Sequence, residues 1–456
     1  MRRNPATQRD LPLLLTLGLG VFTGALDLGV LAPALPALAQ TFGIATGDLA
    51  WVFTLYLLVT VASIAIAGTM ADRYGRRGVY IACVATFAVG SLLAILAPNY
   101  AVFLFARGLQ ALGAGGIFPV ATAAIGDVVP ENRRGAALGL VAATWGLAAV
   151  VGPTFGGIVT HFISWRWIFA FNIPLALAVI WLARTHVPSG APNVRGPLDK
   201  LGLAALCLGL LALTYGITAT RLPIAALGLL VLVGFVYLQR SARNPIVPPS
   251  LFATPQMMKT YALEIAIGAL EGSLFFIPTV LVGAQNLSYA AAGLVAALGA
   301  LTFVAVIPAA GRALDRIGSR DVLIGGALCT EAGLAVFALG FGSIWLSLLA
   351  MIVAGVGFGA LLGAPTRYIV TSTVDAAKRG TAVGLLSQAL IVGQILGGSI
   401  AGGVMNAAQS QNGGYRAAYL TFAGIALLAL AIAATLDDRA KELARGPGGE
   451  GAREAP

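Results

Sequence analysis

An all-α, polytopic membrane fold is what this sequence predicts: two similar six-helix bundles with two further helices between them. Three observations point to it. Of 456 residues, 58% are hydrophobic and 10% charged, whereas a soluble domain carries about 25% charged residues. The apolar residues gather in fourteen runs, each near the roughly 20 residues that cross a hydrocarbon core as a helix. Finally, a pattern of glycines and charges in the first half of the chain returns in the second.

The runs lie at about 11–37, 49–71, 78–97, 100–125, 136–161, 166–184, 200–219, 222–239, 257–284, 289–310, 321–341, 343–368, 380–405 and 415–435. In lipid only a helix or a closed barrel satisfies every backbone group, and runs of this length are helices. The 58 glycines sit largely inside the runs, where small residues let helices approach closely. After Met1-Arg2-Arg3 the first run is longer than a signal-peptide core and contains Asp27. It is read as a retained first span.

An even number of spans puts both ends of the chain on one side. Arg73, Arg76, Arg77, Arg133, Arg134, Arg195, Lys200, Arg240, Arg243, Arg312, Arg316, Arg320, Lys378 and Arg379 share that side, against Arg166, Arg221 and Arg416 on the other. By the positive-inside rule that side is the cytoplasm. The expected organisation is a cytoplasmic tail (1–10), an N-terminal bundle (11–184), a linker with two inserted helices (185–256), a C-terminal bundle (257–435) and a disordered cytoplasmic tail (436–456).

Several function classes are excluded. The net charge of +10 is spread in short clusters between apolar runs, which orients helices and does not form a nucleic-acid surface. Cys83, Cys207 and Cys329 fall in separate runs, and His161 and His186 are far apart. This spacing suits neither a metal site nor a disulfide framework. No cofactor, metal or catalytic cluster is expected, and so no enzyme.

The internal repeat is specific. Gly68, Asp72, Arg73, Gly75, Arg76 and Arg77 recur as Gly311, Asp315, Arg316, Gly318, Ser319 and Arg320, an offset of 311 − 68 = 243. Arg134-Gly135 and Gly139-Leu140 match Arg379-Gly380 and Gly384-Leu385 at 245, and Gly152 and Gly157 match Gly397 and Gly402 at the same offset. Duplicated bundles around a central site are a recurring plan of alternating-access carriers.

At these residues the chain resembles the major facilitator superfamily, in particular its fourteen-span drug:proton antiporters. Gly68 to Arg77 resembles the signature loop between helices 2 and 3, and Arg107-Gly-Leu-Gln110-Ala-Leu-Gly113 the helix 4 motif. Gly152-Pro153-Thr-Phe-Gly156-Gly157 is similar to the helix 5 motif of exporters. Leu26-Asp27 through Pro36 resembles the helix 1 motif, and Trp165-Arg166-Trp167 with Asn172-Ile-Pro174 the start of helix 6 in the fourteen-span branch. The resemblance covers nearly the whole chain and implies a major facilitator fold.

Each motif also has a physical reading. Gly68 and Gly75 permit a tight turn and close helix approach. Asp72, Arg76 and Asp127 can form a cytoplasmic charge cluster, which in the family latches the bundles; a basic loop that merely sets topology is the plainer alternative. Ser319 in place of the first copy's Arg76 predicts a weaker second latch. At Gly152-Pro153 one backbone donor is lost, and Gly156-Gly157 offers a side-chain-free surface.

Charges inside the runs each cost several kcal/mol unless paired or hydrated, about 2.5–3.5 on insertion scales. Asp27 lies mid-way along the first run, Arg107 at similar depth in the fourth, and Glu264 and Glu271 seven residues apart on one face of the ninth. The resemblance lines a central cavity with helices 1, 4, 9 and 12, which makes Asp27, Arg107, Glu264 and Glu271 the expected proton-coupling and substrate residues. A static Asp27–Arg107 salt bridge is the alternative. Glu331, on a peripheral helix, is expected to hydrogen-bond between helices. With Trp145, Phe275 and Phe276 expected nearby, the cavity suits lipophilic cations.

The expectation is therefore a proton-coupled multidrug or amphiphile exporter of the cell (inner) membrane, monomeric, working by alternating access with protons as second partner. A flippase for lipids or lipid conjugates on the same fold is the alternative.

Overall fold

The computed structural model describes residues 5–189, 199–375 and 378–439. Among these the regular structure is entirely helical, and fourteen helices are long and apolar enough to cross a membrane. They are α1 (Leu11–Phe42), α2 (Thr46–Tyr74), α3 (Arg76–Leu96), α4 (Tyr100–Val128), α5 (Arg133–Phe162), α6 (Arg166–His186) and α7 (Lys200–Thr218). The second half follows with α8 (Leu222–Ser241), α9 (Pro255–Gln285), α10 (Tyr289–Ile317), α11 (Ser319–Gly340), α12 (Ile344–Thr373), α13 (Arg379–Ala407) and α14 (Gln411–Ala434). Arg195 and residues 440–456 of the expected tail lie outside the described residues.

Local chemistry sets the helix ends. Asn99 caps α4 by accepting from the Val102 amide at 3.0 Å, and Ser410 caps α14 through Gly413 at 3.2 Å. Thr254 caps α9 through Met257 at 3.3 Å, with Pro255 in the first turn, where its missing N–H costs nothing. Three spans are interrupted where the sequence reads as continuous apolar runs. A 3₁₀ turn at Ala32–Ala34 breaks α1, α9 breaks at Phe275–Phe276, and α12 breaks before Pro365. Prolines 33, 36, 278 and 365 stand at or beside the restarts, since each removes a backbone donor and favours a fresh first turn. The breaks in α1 and α9 lie 275 − 32 = 243 residues apart.

By contact the chain forms two compact units. One comprises Met1–Ile44, Trp51–Leu211 and Ser288–Ala297; the other comprises Ala45–Ala50, Ala212–Leu287 and Leu298–Pro456. In the first, α1 packs on α5 and α6, and α3 on α4 and α6. In the second, α9 packs on α13 and α14, and α11 on α12 and α14. The pattern is the same, eight helices on.

Close helix contacts are made at glycines. A Cβ on Gly152 would lie 2.9 Å from the Gly29 Cα, and one on Gly156 would overlap the Val30 carbonyl. In the second unit a Cβ on Gly393 would lie 2.8 Å from the Gly268 Cα, and one on Gly397 would overlap the Ala269 carbonyl. These equivalent contacts are offset by 393 − 152 = 241 and 397 − 156 = 241. Residue identity pairs Gly152 with Gly397 at 245, one turn away. A glycine stripe with a four-residue repeat can slide by a turn and still match glycine to glycine, so only the contacts decide its register.

Candidate functional site

In the first unit a polar cluster lies wholly inside the helices. Asp27 on α1 and Arg107 on α4 are both fully buried, as are Ser91 and Gln110. Arg107 Nη1 lies 2.5 Å from Asp27 Oδ2 and also donates to Gln110 Oε1 at 2.8 Å. The second Asp27 oxygen, Oδ1, accepts from Gln110 Nε2 at 3.2 Å and from Asn172 Nδ2 at 2.9 Å. Both amides also reach Ser91 Oγ, Gln110 at 2.7 Å and Asn172 at 3.4 Å. The guanidinium carbon of Arg107 stands 4.2 Å from the Tyr56 ring centroid, a favourable cation–π arrangement in a desolvated place.

Backbone contacts build this cluster. A Cβ on Gly90 would fall 2.5 Å from the Gln110 nitrogen, and one on Gly113 2.9 Å from the Phe87 Cα. The α3–α4 approach that these glycines allow brings Ser91 to Gln110, which shares a helix face with Arg107 one turn away. At the start of α6, the Trp165 indole donates to Thr41 Oγ1 at 3.0 Å and packs edge-on against Phe103. Arg166 Nε donates to the Ile95 carbonyl at 3.2 Å. These two residues anchor the helix that carries Asn172.

The second unit holds Glu264 and Glu271 on α9. Glu264 faces the Thr366 hydroxyl and the Arg367 guanidinium, and Glu271 faces the Gln394 amide. Gly268 and Gly272, each one turn from an acid, lie against the α13 backbone at Leu390 and Gln394. Both Oε2 atoms are buried without a hydrogen-bond partner. Among the described residues neither carboxylate has a Lys or Arg nitrogen within 4.0 Å. The two units thus treat buried acids differently: Asp27 is fully compensated, while Glu264 and Glu271 are not.

The signature turn of the first unit closes at Gly75, whose φ of 90° belongs to a region almost restricted to glycine. Gly318 has φ 88° at the equivalent place. Arg76 bridges Asp72 at 2.5 Å and Asp127 at 2.9 Å, and Arg77 Nε donates to the Val187 carbonyl at 2.6 Å. Arg73 lies over the Tyr74 ring. In the second unit Ser319 stands at the place of Arg76, Asp315 and Arg316 are exposed, and Arg320 Nε is buried without a partner. There, Arg439 donates to the Asp315 carbonyl at 2.7 Å. The close approach expected at Gly68 is not made: a Cβ on Gly68 or Gly311 would meet nothing within 4 Å.

Helix α5 carries Pro153 without a break in its helix. A Cβ on Gly157 would press on the Tyr289 carbonyl within the first unit. Trp145 is exposed, and Phe276 is fully buried. Among the described residues no group of three or more His, Cys, Asp or Glu could hold a metal. Tyr56, Ser91 and Asn172 join Asp27 although sequence reasoning did not single them out as site residues. For Asn172 a signal existed, a lone amide in an apolar run; for Ser91, which resembles any helix serine, there was none.

Comparison with known proteins agrees with this architecture. The family model of the Major Facilitator Superfamily matches residues 17–284 and 260–455. YfiU of Bacillus subtilis, described as an uncharacterized MFS-type transporter, is 32% identical over 416 residues, covering 87% of this chain and 80% of YfiU. The multidrug resistance protein Stp of Mycobacterium tuberculosis is 29% identical over 413 residues, covering 86% and 75%. Among solved structures, the peptide transporter POT in complex with alafosfalin superposes with TM-score 0.71 at 16% identity, covering 95% of this chain and 96% of that one. With its fourteen membrane-length helices, its repeated packing and a family match along almost its full length, the chain belongs to the major facilitator superfamily of transporters.

Proposed function

We propose that this protein exports amphiphilic small molecules, cationic ones included, in exchange for protons, by alternating access in the cell membrane with both termini in the cytoplasm. The observation that carries the proposal is a set of acids inside the helices: Asp27 on α1, and Glu264 and Glu271 on α9 with a buried, unpartnered carboxylate oxygen each. For Glu264 and Glu271, a buried carboxylate oxygen without a close counter-ion costs several kcal/mol. A proton or a cationic ligand removes that cost, and competition between them for the same acids couples the two flows. Protons moving down a membrane potential supply ~2.3 kcal/mol per charge per 100 mV, sufficient for uphill export. The resemblance of Gly152 to Gly157 to the exporters' helix 5 motif and the likeness to a multidrug resistance protein favour export of drug-like compounds.

The test is transport by purified protein in proteoliposomes under an imposed pH gradient, with equilibrium binding measured in parallel. Asp27→Asn and Glu271→Gln are expected to abolish gradient-driven accumulation of a lipophilic cation while binding of an uncharged amphiphile persists. Retained accumulation in both variants refutes the coupling role. Movement of a fluorescent phospholipid in place of the cation makes the protein a flippase.

A further inference from the structure

We propose that Asn172 is a positioning residue for Asp27: its amide turns over when Asp27 gains a proton. The inference rests on the reading that Asp27 changes protonation during transport, and it names the group that lets the site accommodate both forms.

The argument is one of donors and acceptors. As an ionised carboxylate, Asp27 only accepts. Its surroundings fit that state: Oδ2 takes Arg107 Nη1, and Oδ1 takes N–H groups from Gln110 and Asn172. When a hydronium ion delivers a proton to Oδ1, an O–H bond forms and water is released. The new hydroxyl is a donor that faces two amide donors. In a place this dry the unmatched hydroxyl is unfavourable, so it needs an acceptor.

Of the two amides on Oδ1, one is placed to supply it at little cost. Gln110 is held at both ends, its nitrogen by Ser91 at 2.7 Å and its oxygen by Arg107 at 2.8 Å. Ser91 Oγ already takes Gln110 and donates to the Phe87 carbonyl at 3.0 Å. Asn172 reaches Ser91 at only 3.4 Å, so its one firm contact in this cluster is with Asp27 itself. Its terminal torsion is broad and roughly two-fold. A half turn replaces Nδ2 by Oδ1 at the same place and accepts the new O–H. The backbone of α6 need not move, anchored as it is by Trp165 and Arg166.

No other charge confuses this assignment. The titratable and charged groups facing Asp27 are Arg107 from α4 and Tyr56 from α2. From α3 and α6 come the neutral Ser91 and Asn172, and α5 meets α1 here through Gly152 and Pro153 at Gly29. Asn172 is thus the adjustable amide in a cluster whose other amide, Gln110, is held at both ends.

The experiment is infrared difference spectroscopy of the purified full-length protein across a pH titration, with the Asp27 protonated-carboxyl band assigned by its loss in Asp27→Asn. In Asn172→Leu that band is expected at higher frequency, because the neutral acid has lost its acceptor; Asn172→Gln, which keeps an amide, should move it back. Ser91→Ala should give a smaller shift in the same direction, and it carries the test if Asn172→Leu does not fold. Proton-driven accumulation by Asn172→Leu should fall about 10- to 150-fold, the range for one hydrogen bond to a charged group, with the substrate Kd unchanged. An unshifted band in both Asn172→Leu and Ser91→Ala overturns the inference, as does an Asp27 that never shows the band. A shifted band with undiminished accumulation upholds the positioning role and refutes instead the coupling role of Asp27.

Discussion

Replacing Asp27 by Asn keeps the size of the side chain and removes its charge. Arg107 would then be fully buried with no counter-ion, and its Nε and Nη2 already lack hydrogen-bond partners. Two unit charges about 4 Å apart at an effective dielectric of about 20 attract by about 4 kcal/mol. Removing one member of a buried pair typically costs about 3–5 kcal/mol. The reverse change, Arg107→Gln, should be milder, because Asp27 keeps two amide donors. The double variant has no orphaned charge, and neutral replacements of buried pairs are often close to neutral in stability. It should therefore be more stable than Asp27→Asn alone. For a unit of this size each kcal/mol moves Tm by about 2–4 °C. Thermal unfolding of the detergent-purified protein should thus show Asp27→Asn lowering Tm by about 6–20 °C, with Arg107→Gln restoring most of it. If the Tm losses of the two single variants simply add in the double, the pair is not coupled and the electrostatic account of the cluster is wrong.

Three further outcomes are expected. Gly152→Ala, whose Cβ would lie 2.9 Å from a backbone carbon of α1, should cost about 1–3 kcal/mol by overpacking, while Gly139→Ala on the same helix meets nothing within 4 Å and should be neutral or stabilising; equal Tm values would remove the role assigned to the α1–α5 glycine contact. Gly75→Ala should lose about 1–3 kcal/mol, the cost of a side chain in its backbone region, whereas Gly68→Ala should lose none; unfolding of the two variants side by side checks this. Asp72→Asn should cost about 1.5–3 kcal/mol, the size of one hydrogen bond to a charged group, since Arg76 keeps Asp127, and should increase cysteine labelling at the ends of α2 and α10 that carry the two signature turns if the cluster acts as a latch; unchanged labelling with unchanged transport means the turn only sets topology.

Much of the architecture was legible in the sequence because lipid imposes simple rules. An apolar run of sufficient length must be a helix, so composition and run length decide the fold class, and the duplicated Gly-Asp-Arg pattern reveals two related halves. Asp27, Arg107, Glu264 and Glu271 stand out because a charge in such a run is costly and needs a reason. Gly75 and Gly318 were readable too, since a turn at that place needs the backbone freedom of glycine. What only the tertiary structure decided was which groups meet across helices. Asn172 reaches Asp27 from 145 residues away, and Ser91 joins them because Gly90 and Gly113 let α3 approach α4; local periodicity gives the face of a helix but not its partner. The same limit explains why the fifth-helix glycines matched a turn out of register, and why Gly68, alike in sequence to the packed glycines, leaves open space for a Cβ. The contrast between a fully compensated Asp27 and the partly compensated Glu264 and Glu271 was hidden as well. Acids of one type are distinguished by the donors that packing brings to them, and those donors come from other helices.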